Sequence, residues 1–289
     1  MHQGVDWRRN KAGFLAVLGP PLGWLTLFFF VPMAVVWAYS FGTNAGIADI
    51  RISGTFENYA RAIEPLYLGI LGKSLAFAAL ATLLCLIMGF PVALAISFAP
   101  PAMKSWLLIG VMLPFWTNLL IRTYALIALL RDEGIINNAL SFAFGWAGFE
   151  PLRMMNSNFA VLVGLVYVHL PFMVLPIYAA LDRMDRSLLE ASLDLGAGHV
   201  RTIVLIVLPL AAPGILSGLL LTFIPVLGSY LAPDLLGGAD SQMIANVIER
   251  QFKRANDWPF GAALAFMLIY LTLIGIALQS LARRRRGAE

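Results

Sequence analysis

Long apolar runs alternate with short polar stretches along the chain. Six of the runs, at about 13–40, 70–99, 106–130, 159–180, 202–227 and 260–281, approach or exceed the roughly 20 residues that a helix needs to cross a hydrocarbon core. The pattern therefore predicts an all-α polytopic membrane protein with six transmembrane helices. Pro91 and then Pro100-Pro101 close the second run and turn the chain tightly into the third. An apolar stretch around 142–149 is too short to cross and reads as a re-entrant or interfacial helix. At the end of the fifth run and just past it, Pro225, Gly228, Pro233, Gly237 and Gly238 predict a broken helix at the outer mouth. Irregular backbone at that depth is tolerated only beside protein or water, so the break implies a cavity. Gly214 and Gly218 have the small-xxx-small spacing that lets helices approach closely. Packing within the chain and contact across a subunit pair are both open there.

Between the fourth and fifth runs lies a polar stretch, 188–201. Leu188, Leu189, Ser192, Leu193 and Leu195 can form one greasy stripe on a helix, with Glu190, Asp194 and the arginines elsewhere. Gly196 and Gly198 are expected to end it, because glycine takes the left-handed conformation at little steric cost. Two readings stand: a helix that docks into a partner, or an interfacial helix resting on lipid headgroups.

Composition agrees with the pattern. Of 289 residues, 60% are hydrophobic and 12% charged, against about 25% charged in soluble domains, and the mean hydropathy is +0.81. A net charge of +4 and a pI near 9.4 would by themselves admit nucleic acid as a partner. The basic residues cluster at the ends of the runs, however, and the excess of positive charge on cytoplasmic loops explains that distribution without nucleic acid. Six spans place both termini on one side. Arg8, Arg9 and Lys11 at one end and the arginines 283–286 at the other make that side cytoplasmic, with Lys104, Arg183, Arg186 and Arg201 on inner loops. The expected organisation is a cytoplasmic tail 1–12, a membrane domain 13–282 containing the loop 182–209, and a basic tail 283–289. The first run is too long for the core of a signal peptide and is read as a retained span. Lone Cys85 offers no disulfide.

The chemistry-bearing motifs are few. Gly72-Lys73-Ser74 resembles the end of a phosphate-binding loop, but that motif needs a glycine where Tyr67 stands. No other nucleotide motif, nucleophile motif or metal-spaced histidine set occurs. His2, His169 and His199 are far apart, and His169 reads either as a ligand or proton relay or as a hydrogen-bonded core residue. An enzyme is not indicated, there is no catalytic residue to name, and an ATP site is not expected in this chain. Arg122 lies inside a span, where a charge is costly, so it is expected to face protein or water. Asn118 is four residues before it and would share its face on a helix. Arg122 is either part of a polar path or a structural arginine met by carbonyls or a partner's carboxylate.

Glu190-Ala191-Ser192, three residues, Gly196, nine residues, Ile206, one residue, Leu208-Pro209 resembles the EAA loop of bacterial ABC importer permeases. Every spacing matches, and Ser192 stands where alanine is usual. Pro114-Phe115-Trp116-Thr117-Asn118, Ile121-Arg122, Leu170-Pro171-Phe172, Pro233-Asp234-Leu235-Leu236-Gly237-Gly238 and Asn256-Asp257-Trp258-Pro259-Phe260-Gly261 are similar to the first permease of spermidine/putrescine importers. The resemblance implies the type I importer permease fold. Its expected partners are a second permease subunit, an ATPase dimer, a substrate-binding protein outside and the inner-membrane bilayer. ATP and Mg would belong to the ATPase, with no cofactor in this chain. Glu190, Ala191, Ser192, Asp194 and Gly196 become the expected ATPase-coupling residues. A polyamine path would offer carboxylates and aromatic faces, which makes Trp116, Asn118, Arg122, Tyr124, Phe223, Tyr230 and Asp234 its candidates. Another small amine or amino-acid-like solute remains an alternative cargo. A self-contained secondary transporter, the competing class, would show an intramembrane acid or a clear repeat, and neither is visible.

Overall fold

Backbone groups in hydrocarbon must be satisfied inside their own segment, and the apolar runs accordingly fold as helices. A computed structural model describes residues 11–46, 49–147 and 150–286. His2, Arg8, Arg9 and the end of the basic tail lie outside them. The long helices are α1 (Lys11–Leu25), α2 (Val31–Tyr39), α4 (Pro65–Phe98), α5 (Pro101–Trp116), α6 (Leu119–Leu130), α8 (Asn158–Leu181), α11 (Leu208–Leu227) and α14 (Trp258–Arg286). Shorter elements join them: a hairpin of β1 (Gly42–Gly46) and β2 (Asp49–Ile52), α3 (Glu57–Ala62), α7 (Ile135–Phe144), α9 (Ser187–Asp194), α10 (His199–Thr202), α12 (Leu231–Leu236) and α13 (Ile244–Lys253). By length and apolarity five stretches can cross a membrane unbroken: Gly13–Tyr39, Pro65–Phe98, Asn158–Leu181, His199–Leu227 and Trp258–Ala277.

The sixth candidate departs from the sequence expectation. The run at 106–130 is not one helix but two, and the pair Pro101–Trp116 and Leu119–Phe144 is bent by 95°. Thr117 and Asn118 adopt extended backbone, and the Asn118 side chain accepts a hydrogen bond from the Leu120 amide at 2.8 Å, capping a new helix. Asparagine is a strong helix N-cap, and that local bond competes with continuing the helix. The second run differs in the other direction. It continues through Pro91 to Phe98, so only Pro100-Pro101 ends it. The short helix expected around 142–149 begins earlier, at Ile135.

Two long helices contain a π-helical turn, at Thr26–Phe30 and Ile203–Val207. Each is followed at the second position of the next helix by a proline, Pro32 and Pro209. Proline has no amide to donate, and its ring collides with the carbonyl four residues back. The chain widens by one residue instead: the Val31 amide reaches the Thr26 carbonyl, and the Leu208 amide reaches that of Ile203.

The chain forms two compact units, Pro65–Val247 and Met1–Glu64 with Ile248–Glu289. In the first, α4, α8 and α11 make the core, burying Ala81, Cys85, Leu165, Met173, Ile177 and Ala211. Glycines set the helix spacing. A Cβ on Gly214 would lie 2.5 Å from the Pro176 carbonyl, and one on Gly218 would lie 2.8 Å from the Met173 sulfur. The small-residue face of α11 is therefore occupied by α8 of the same chain. In the second unit, Arg61 pairs with Asp257 at 2.8 Å and stacks on Phe260 at 3.9 Å, while the Trp37 indole donates to the Tyr270 hydroxyl at 2.7 Å.

Candidate functional site

Helix α9 is short, so its ends decide its shape. At its start, Asp185 accepts a hydrogen bond from the Ser187 amide at 3.0 Å, and that bond holds its carboxyl below the usual range. At its end, the Gly196 amide bonds the Leu193 carbonyl and the Ala197 amide bonds that of Ser192. This pair of bonds is the Schellman closure, and it needs the left-handed φ of +82° that Gly196 adopts. Gly198 departs from expectation: it is extended (φ −70°) and precedes α10 as its cap.

The greasy stripe divides. Leu189 and Ser192 turn inward and are buried, whereas Leu188, Leu193 and Leu195 are exposed, Leu195 to 89%. Val200, just past the turn, is 76% exposed. Glu190, Ala191, Asp194 and Gly196 are also exposed. Four of the five expected coupling residues thus share an outward surface with uncovered leucines. Ser192, the fifth, faces the chain's interior, where its hydroxyl meets that of Thr202 at 2.9 Å. Two further bonds hold the loop from the other side. Arg186 donates to the Ser97 carbonyl at 3.0 Å and lies over the Phe98 ring. Lys104, on α5, pairs with Asp182 and lowers that carboxyl's pKa, chiefly through the hydrogen bond it donates. Sequence alone gives no partner for Arg186 or Thr202, because the glycine turn hides how the chain folds back.

The candidates for a path are not assembled in one place. Tyr230 lines a cavity of about 210 Å³ with Thr123, Gly164, His169, Ser229 and Leu231 among its walls. It lies against the middle of α8, where the break between α5 and α6 meets the break between α11 and α12. The Tyr230 carbonyl is held by the Asn246 side chain at 2.8 Å. His169 makes a bond between Nδ1 and the Leu165 carbonyl at 2.8 Å. Since a carbonyl only accepts, Nδ1 carries the proton. Of the two sequence readings of His169, ligand or core residue, the structure favours the second: it is a hydrogen-bonded residue in a cavity wall. Trp116, Asn118, Tyr124 and Asp234 are exposed and Phe223 is half-buried; none of them lines this cavity.

Asn118 and Arg122 do not form a polar line. The helix begins after Asn118, which is an exposed cap, while Arg122 is only 8% exposed. Its Nε and Nη1 have no hydrogen-bond partner, and its guanidinium lies 5.8 Å from the Phe115 ring centre. A separate open cavity of about 620 Å³ is lined by Arg131, Asp132, Glu133 and Asn156.

A family model described as the binding-protein-dependent transport system inner membrane component matches residues 20–287. The spermidine/putrescine transport system permease protein PotB of Escherichia coli is 42% identical over 249 residues, covering 86% of this chain and 89% of that one. The protein of the same name from Haemophilus influenzae is 41% identical, with 86% of each chain covered. The Escherichia coli inner membrane ABC transporter permease protein YdcU is 30% identical and covers 95% of this chain and 90% of its own. Among solved structures, a bacterial ABC transporter that imports the acidic polysaccharide alginate matches with a TM-score of 0.76 at 18% identity, over 97% of both chains. That likeness fixes the fold as that of an ABC importer permease.

Proposed function

The chain belongs to the family of binding-protein-dependent transport system inner membrane components, and from that membership we propose that it is the permease subunit of an ATP-driven importer of polyamines. It is a multi-pass inner-membrane protein. Identity of 42% to a spermidine/putrescine permease over most of both chains supports the cargo. What carries the mechanism is the outward surface of α9, a capped helix whose Leu188 and Leu193, with Leu195 at its C-cap, are uncovered beside Glu190 and Asp194.

On this reading α9 inserts into a cytoplasmic ATPase, and both termini lie on the cytoplasmic side. ATP and Mg²⁺ are held by an ATPase dimer, a second permease completes the path, and a binding protein delivers cargo from outside. Closure of the ATPase pushes α9, whose movement turns the spans from inward- to outward-open. Uncovered leucines on an eight-residue helix fit a protein groove better than a headgroup layer, because Ser187–Asp194 itself carries two acids and no basic residue. Anionic headgroups favour Lys and Arg on such a helix.

The test is ATPase activity of the complex reconstituted with its binding protein and titrated with putrescine, spermidine and non-amine solutes. Stimulation by a polyamine alone is expected. Stimulation by a different solute would overturn the cargo assignment and leave the permease reading. Uptake that continues without ATP would overturn the importer mechanism itself.

A further inference from the structure

The docking helix is joined to the fifth span by the 196–198 turn, which two backbone hydrogen bonds close and whose glycines carry no side chain to brace it. Gly196 is left-handed, and a Cβ built on Gly196 or Gly198 would meet nothing within 4 Å. Movement of α9 would be absorbed there without reaching α10 if the turn were the only link. Two side-chain bonds supplement it. Ser192 on α9 bonds Thr202 on α10 at 2.9 Å, and both side chains are buried. Arg186, at the entry to α9, donates to the Ser97 carbonyl in the last turn of α4 at 3.0 Å and lies 5.7 Å over Phe98.

We propose that Arg186 and Ser192 are positioning residues that latch the docking helix to the inner ends of α4 and α10, so that its displacement is delivered to those spans instead of being lost at the glycine turn. The proposal rests on the docking role given to α9 above. Arg186 supplies a link that the covalent chain does not, because α4 is remote from the loop in sequence. The guanidinium suits the task. It stays charged, and a charge-assisted bond to a helix-end carbonyl is stronger than a neutral one. Ser192 contributes in a way specific to this chain, because the position carries alanine in the pattern that the loop resembles, and alanine cannot reach Thr202.

The decisive quantity is cargo taken up per ATP hydrolysed, measured in proteoliposomes containing the whole complex, with co-purification of the ATPase as the measure of assembly. Arg186→Gln and Thr202→Val should each lower that ratio by about fivefold, the factor associated with losing one modest interaction, while assembly and basal hydrolysis are kept. Arg186→Lys should recover part of the loss. The double variant Ser192→Ala/Thr202→Val should be no worse than Thr202→Val alone, because both remove one shared bond. A normal ratio in Arg186→Gln and Thr202→Val would overturn the latch, as would a loss that only follows failed assembly. Glu190→Arg, on the outward surface, tests the underlying reading separately. If that variant keeps its ATPase and its uptake, docking through α9 is wrong and the latch falls with it. Loss of the ATPase in Glu190→Arg together with normal latch variants removes the latch alone.

Discussion

At Gly196, in the 182–209 loop proposed to dock, backbone strain and partner contact can be told apart by substitution. Its φ of +82° lies where an L-residue with a Cβ is destabilised by roughly 1–2 kcal/mol. The space around it is open in this chain, with nothing within 4 Å of where a Cβ would stand, so Gly196→Ala adds strain and no internal clash. A factor of roughly 5–30 in the population of the closed turn corresponds to that strain. Asparagine visits the left-handed region more readily than alanine, so Gly196→Asn should lose less. Gly196→Asp shares some of that tolerance but adds a negative charge at a helix C-terminus beside Asp194, unfavourable by about 0.3–1 kcal/mol. It should also place that charge on the surface proposed to dock.

The expected order of ATP-driven uptake is therefore Gly, then Asn, then Ala, with Asp abolished while membrane insertion is retained. Hydrogen exchange supplies a local readout. The amides of Gly196 and Ala197 close the turn on the carbonyls of Leu193 and Ser192, and they should exchange faster in the same order for Asn and Ala. Equal inactivity of Ala and Asn, with unchanged exchange, would mean that contact with the partner governs the position and backbone strain does not. Uptake at the native level in Gly196→Ala would refute the need for the Schellman closure altogether.

Gly214→Ala should lower the thermal stability of the detergent-purified protein by about 1–3 kcal/mol, because its Cβ would meet the Pro176 carbonyl at 2.5 Å; an unchanged melting profile would contradict the close approach of α8 and α11. Thr222→Val should be neutral or stabilising by about 1 kcal/mol, because the buried Thr222 hydroxyl has no hydrogen-bond partner and the change conserves shape. The Lys104–Asp182 pair should matter little to stability: Asp182's side chain is 39% exposed, so Lys104→Met should cost less than about 1 kcal/mol. With the Asp182 pKa lowered by Lys104, that contribution is complete above the unfolded value near 4 and is lost as pH falls through the lower folded value. Melting temperature should accordingly show no pH dependence from this pair between about pH 5 and 8.

What can be read from sequence depends on how local each feature is. Hydrophobic run length locates five spans, because a helix in hydrocarbon satisfies its own backbone and needs no distant partner. The Gly196 turn is equally legible, since a left-handed helix end is a property of one residue. Arg186 and Thr202 are not: their partners, Ser97 and Ser192, are fixed by how helices pack. The third run is legible as apolar length but not as a broken helix, for a different reason. Apolar length predicts one span across 106–130, whereas the Asn118 side chain offers the backbone a cap that competes with the continuous helix. Hydropathy does not weigh that choice. The same break puts Asn118 and Arg122 in different environments, because four-residue spacing implies a shared face only inside one helix.

The two breaks gain their meaning from where they meet. One follows Pro114 and ends at Asn118; the other follows Pro225 and ends at Tyr230. Both lie against the stretch of α8 containing Gly164 and His169, close to the middle of a 24-residue helix. At Gly164 the absence of a side chain lets α12 approach, since a Cβ there would collide with the Leu236 side chain. Interrupted helices at this depth leave amide and carbonyl groups that protein or water must satisfy, and Asn246 already takes one of them, the Tyr230 carbonyl. The polar side chains lining the cavity are neutral or a histidine, with no carboxylate among them. Such a wall can replace part of a cation's hydration without holding it, which is the condition for passage: binding strong enough to enter and weak enough to leave. On the importer reading proposed above, selectivity for a polycationic cargo would be set before this point, and the cavity would serve release.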